Sequence, residues 1–135
     1  MKQITWDDRF SVGVKEIDQQ HRGLLEIINH IIESIDTGKE WKSTSAIVDS
    51  LINYAYNHFA TEERYMRDAE YPDLSWHVSL HIEFIKKVFE LSQEANVKGP
   101  EMQREELIFL AGWYNSHILG IDRKYMDSLA AKGFK

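Results

Sequence analysis

The chain contains no cysteine among its 135 residues. That absence removes a disulfide framework, a thiolate zinc site, a cysteine-ligated iron–sulfur cluster and a cysteine nucleophile together. Any metal it binds must be held by nitrogen and oxygen. Proline is scarce, with 2 in the chain, and no stretch alternates apolar and polar residues as a half-buried strand would. The longest apolar run, Leu107 to Tyr114, is far short of a membrane span. Met1 to Asp8 lacks the apolar core of a signal peptide, which predicts a cytoplasmic protein. A formal net charge of -6, with no block of five like charges, argues against nucleic acid or an anionic membrane as partner. The length suits one domain, residues 1–135, with a real core.

What is present is helical periodicity. At about 100° per residue, Ile17, His21, Leu24, Leu25, Ile28, Ile32 and Ile35 share one side of a helix that Asp18 can cap and Thr37-Gly38 can end. Residues 1–16 carry no sustained period and read as an arm packed along the domain through Trp6, Phe10 and Val12. A second helix runs from Ser43 or Thr44 to about Asp68, with Ile47, Leu51, Tyr54, His58, Glu62 and Tyr65 inward, and Glu63 and Arg64 outward. Pro72 forces a break. Ser75 can cap a third helix whose inner line is His77, His81, Phe84, Val88 and Leu91. After a break at Asn96 to Pro100, a fourth helix spans about Glu101 to Gly120, and Asp122 to Leu129 forms a last short one. Gly23 and Gly112 are the glycines placed inside helices, and Trp41 reads as a single exposed aromatic. The pattern predicts an all-α, antiparallel up-down-up-down four-helix bundle with an N-terminal arm and a short C-terminal helix.

The inner faces carry His21, His58 with Glu62, His77 with His81, and His117, so every helix contributes a donor. Residues four apart stack on one helix face, which makes His58/Glu62 and His77/His81 adjacent pairs. His30 points about 180° from His21 and belongs to the surface. Five inward histidines and a buried glutamate cannot satisfy one another without a cation. They also overfill one ion that keeps an open position, which favours two ions. Carboxylates can bridge two ions, so a second one is worth seeking near His117, and Asp122 is the candidate. It lies about 140° from His117 on a regular helix. The backbone must therefore tighten or break near Gly120, or the side chain must swing across.

The order Asp18-Gln19-Gln20-His21, His58-x-x-x-Glu62, His77-x-x-x-His81 and His117-x-x-x-x-Asp122 resembles the hemerythrin family, specifically its small bacterial single-domain members, the bacteriohemerythrins. The likeness covers nearly the full length, including Trp6-Asp7 and Ser11-Val12-Gly13-Val14. It implies two iron ions with an oxo or hydroxo bridge: His77, His81 and His117 on one iron, His21 and His58 on the other, Glu62 and Asp122 bridging. Such a set fills six positions on the first iron and five on the second. One position stays open for a small ligand. The implied function is reversible dioxygen binding for storage, delivery or sensing, without catalytic residues, and with a protein recipient of oxygen as a further partner. The alternative is a di-iron enzyme acting on peroxide or nitric oxide. Leu24, Phe59, Trp113 and Tyr114 are the implied walls of a dry dioxygen pocket, and Tyr125 can orient a ligand. Tyr114 departs from the family, whose bacterial members tend to have an aliphatic residue after that tryptophan.

Overall fold

The computed structural model describes residues 3–39, 41–98 and 100–135. The side chains of a few helical residues, Trp41 among them, lie outside that description. Four long helices dominate: α1 (Lys15–Asp36), α2 (Trp41–Asp68), α3 (Leu74–Lys98) and α4 (Pro100–Ser116), followed by α5 (Met126–Ala131). There is no strand among the described residues. Each long helix packs on the next and α4 returns to α1, which closes the four-helix ring.

The helix ends differ from expectation by a few residues, for local reasons. Asp18 does not cap α1, which begins three residues earlier at Lys15. Its carboxylate instead accepts the Val12 N–H at 2.8 Å and the Ser11 hydroxyl, tying the arm to the helix. The arm is ordered by that tie, by reciprocal hydrogen bonds between Ile4 and Asn29 at 2.9 and 2.8 Å, and by burial of Phe10, Val12 and Val14. At the far end of α1, Gly38 takes φ +73°, so the Lys39 N–H can reach back to the Ser34 carbonyl at 3.1 Å. Ser75 likewise lies inside α3, which starts at Leu74, and α3 continues past Asn96 to Lys98.

Two apolar clusters fill the bundle. One contains Leu24, Leu25, Ile28, Leu51, Phe59, Phe84 and Tyr114. The other, toward the chain termini, contains Val12, Val14, Ile17, Met66, Tyr71, Tyr125 and Leu129. His21 lies between Ile17 and Leu24, and Glu62 between Phe59 and Met66, so the polar residues form a layer between two greasy ends. Gly23, half-buried within α1, has a packing reason. A Cβ there would stand 2.2 Å from the Tyr54 hydroxyl oxygen, which donates to the Gln20 carbonyl at 2.7 Å. Nothing in the structure explains Gly112.

Candidate metal centre

The layer is assembled from α1, α2, α3 and the turn that follows α4. His21 comes from α1, His58 and Glu62 from α2, and His77 and His81 from α3; each is at most 2% exposed. His117 and Asp122 come from the segment after α4, where the backbone solves the spacing problem. The helix does not break there, and it tightens, into a 3-10 turn, only from Asp122 to Tyr125. It widens into a π turn over His117–Ile121, and the Asp122 N–H bonds the His117 carbonyl five residues back. In a π turn the residue five positions on sits above the first. His117 and Asp122 therefore share a face, and Asp122 is fully buried.

The donor atoms converge. Asp122 Oδ1 lies 2.9 Å from His117 Nε2 and 3.0 Å from His77 Nε2, while Asp122 Oδ2 lies 3.1 Å from His21 Nε2. Glu62 divides its oxygens the same way, with Oε1 3.1 Å from His81 Nε2 and 3.7 Å from His58 Nε2, and Oε2 3.1 Å from His21 Nε2. Two overlapping groups could hold a metal ion: Glu62, His77, His81, His117 and Asp122, and His21, His58 and Glu62.

Chemistry and geometry both fit a cation. His58 Nε2, His77 Nε2, His81 Nε2, His117 Nε2, Glu62 Oε1 and both Asp122 oxygens are buried without a hydrogen-bond partner. Each unpartnered buried polar group costs about 1–3 kcal/mol, so a cation that accepts those lone pairs stabilises the layer. Donors about 2.0–2.1 Å from a metal and at right angles around it lie roughly 3 Å apart. That is the spacing of the shortest pairs here.

The charges are strongly coupled. Burial alone would lower the pKa of His21, but the Asp122 and Glu62 carboxylates outweigh it and raise it to about 9. His81 is raised to about 9 against the same burial, by Glu62 and Glu63. Burial wins at His58, lowered to about 3. Burial would raise the pKa of Asp122, but His117, His21 and His77 overcome it and hold the carboxyl well below its ordinary range.

Around the donors, Tyr125 donates to Glu62 Oε2 at 2.6 Å, so it does orient a candidate ligand. Phe59 stacks on His81 with ring centroids 3.7 Å apart, and Trp113 stacks on His117 at 4.5 Å. Leu24 and Tyr114 are buried nearby. The Tyr114 hydroxyl is committed to the His21 carbonyl at 2.8 Å, so it does not project a free donor.

Glu63 corrects the sequence reading. It is partly buried rather than turned outward: its side chain is 24% exposed and takes the His81 Nδ1–H at 2.8 Å. The helical wheel put it outside because it turns about 100° from Glu62, yet that turn carries it into the α2–α3 seam. Gln20 was missed as well: its amide oxygen lies 2.7 Å from His58 Nδ1. Its place directly before His21 was the available signal.

Comparison with known proteins agrees with this architecture. The family described as Hemerythrin HHE cation binding domain matches residues 12–129. A bacteriohemerythrin of Stenotrophomonas maltophilia is 33% identical over 131 residues, 97% of this chain and 84% of the relative. One from Clostridium acetobutylicum is 34% identical, covering 92% of this chain and 99% of the relative. Among solved structures, a wild-type hemerythrin superposes with a TM-score of 0.84 at 25% identity, over 96% of this chain and 99% of that one. With the matched region enclosing all seven converging side chains, the chain belongs to the hemerythrin family.

Proposed function

We propose that this protein binds dioxygen reversibly at a non-haem di-iron centre, for oxygen storage, delivery or sensing. His77, His81 and His117 would hold one iron and His21 and His58 the other, with Glu62 and Asp122 offering an oxygen toward each side. The observation that carries this is the division of each carboxylate: one oxygen of Glu62 and one of Asp122 face His21, while the other Asp122 oxygen faces His77 and His117 and the other Glu62 oxygen lies 3.1 Å from His81 and 3.7 Å from His58. Iron bound there supplies the two electrons and the open position that a diatomic ligand needs.

The remaining chemistry belongs to the chain. Five imidazoles and two carboxylates give a less anionic ligand set than the four glutamates and two histidines of the di-iron carboxylate bundles. Less negative charge stabilises high-valent iron poorly, which favours return of the ligand over oxidation. Leu24, Phe59, Trp113 and Tyr114 exclude water from the layer, and a dry wall retards loss of charged or protonated species. Tyr125 fixes the orientation of Glu62 through its hydroxyl.

Glu63 is the one observation favouring the rival reading, an enzyme acting on peroxide or nitric oxide. It is a carboxylate at the lining of a groove of about 220 Å³ that reaches His81 and Phe59. Its bond to His81 engages it as a support rather than as a general base. An oxygen electrode separates the two. Reduced protein that takes up oxygen in a fixed ratio to chain, and returns it on evacuation, supports the carrier. Continuous consumption in the presence of excess reductant supports the enzyme.

A further inference from the structure

Two of the proposed ligands are backed differently on the ring atom that faces away from the layer. His58 Nδ1–H meets the neutral amide oxygen of Gln20 at 2.7 Å, and His81 Nδ1–H meets the carboxylate of Glu63 at 2.8 Å. Both partners lock the tautomer so that Nε2 points inward. Their effect on donor strength differs. A carboxylate draws the Nδ1 proton toward itself in a charge-assisted bond and leaves Nε2 the stronger base, whereas a neutral amide does so weakly.

The Gln20 amide is a built feature. Its nitrogen lies 3.3 Å from the Thr61 hydroxyl oxygen, which fixes which end of the amide faces His58. The Gln20 backbone is pinned by Tyr54 at 2.7 Å, in the space left by Gly23. Glu63 reaches across the α2–α3 seam to a histidine of another helix.

We propose that Glu63 and Gln20 are positioning residues that make the two metal positions unequal: the three-histidine position, backed by a carboxylate, holds its ion more tightly than the two-histidine position, backed by an amide. The proposal rests on the di-iron reading above. Its consequence is an ordered centre, in which the position carrying the open site is the first to lose its ion and the last to fill.

The test uses the full chain loaded with iron(II) under anaerobic conditions and challenged with increasing ferrous chelator, counting irons retained per chain. The wild type passes from two to one to none in separate steps. Glu63→Gln, which keeps shape and removes charge, lowers the chelator needed for the last ion by roughly tenfold, the scale of an outer-shell change. Gln20→Glu raises the chelator needed for the first ion by a similar factor and draws the steps together. Circular dichroism on the same samples establishes that both variants fold. Simultaneous loss of both ions from the wild type, or swaps that move neither step or move both equally, overturns the proposal. Wild-type protein that never holds two irons contradicts the di-iron reading itself and removes the proposal with it.

Discussion

The two halves of the centre are built by different means. On the α1–α2 side, His21 and His58 sit on regular helices, with their rings in edge contact at 4.6 Å. They are backed by polar bonds to α1: Tyr54 on the Gln20 carbonyl, Tyr114 on the His21 carbonyl, and the Gln20 amide on His58. On the α3–α4 side there are three histidines. Two of them lie flat against aromatic rings, His81 on Phe59 and His117 on Trp113, and the fourth helix must widen into a π turn to deliver Asp122. A nearly symmetric bundle thus produces an asymmetric site, because asymmetry enters through donor count and through the groups behind the donors.

Breaking one half is the harshest test of that contrast. His58→Ala removes a proposed ligand from the two-histidine side and leaves the other side whole. The expected outcome is iron content falling from two toward one per chain and loss of reversible oxygen binding, with helicity by circular dichroism little changed. Full binding in that variant would remove His58 from the centre.

A backbone change should reach the same half from outside. Gly23→Ala places a methyl group 2.2 Å from the Tyr54 hydroxyl oxygen. It should lower unfolding stability by about 1 kcal/mol, the overpacking exceeding what alanine gains over glycine inside a helix. Thermal unfolding measures this, and Tyr54→Ala in the same chain should restore part of the loss. An unchanged midpoint in Gly23→Ala would show that Tyr54 is not held there.

Proton uptake distinguishes the proposed ligands in a third way. His21 and His81, raised to about 9, are protonated in metal-free protein at neutral pH, whereas His58, lowered to about 3, is not. Metal binding must expel those protons, so calorimetry in buffers of different ionisation heat should show proton release near pH 7.5 that fades above pH 9. The stability terms follow the same signs. The contribution of His21 and His81 is full below about 6.5 and is lost as pH rises through about 9. The burden at His58 is opposite: stability falls as pH drops from about 6.5 through 3.

The smallest expected effect is at Tyr114. Tyr114→Leu removes the bond to the His21 carbonyl, a term of about 1 kcal/mol, and should change the autoxidation rate of the oxygenated protein. Equal rates in the two proteins would place Tyr114 outside the pocket.

The bundle was legible in the sequence because its apolar spacing is strongly periodic, and the inward histidines were legible because they interrupt that apolar line. Asp122 was legible through the motif His117-x-x-x-x-Asp122, but its path to the site was not. Regular helix arithmetic put it on the wrong face, and a π turn cannot be read from residue spacing. Glu63 was misread for a related reason: a helical wheel separates inside from outside, whereas a bundle helix also has flanks against its two neighbours. Tyr54 and Gly23 belong to different helices, and only packing reveals that one makes room for the other.

The proposed di-iron centre has these seven side chains around it and an open position for dioxygen. It is tested most directly by the visible spectrum of reduced, iron-assayed protein, recorded before air, after air and after deoxygenation. Two irons per chain, with a charge-transfer band that appears in air and disappears on deoxygenation through repeated cycles, is the predicted result. One metal per chain, zinc in place of iron, or a spectrum that never returns to its starting form would contradict it.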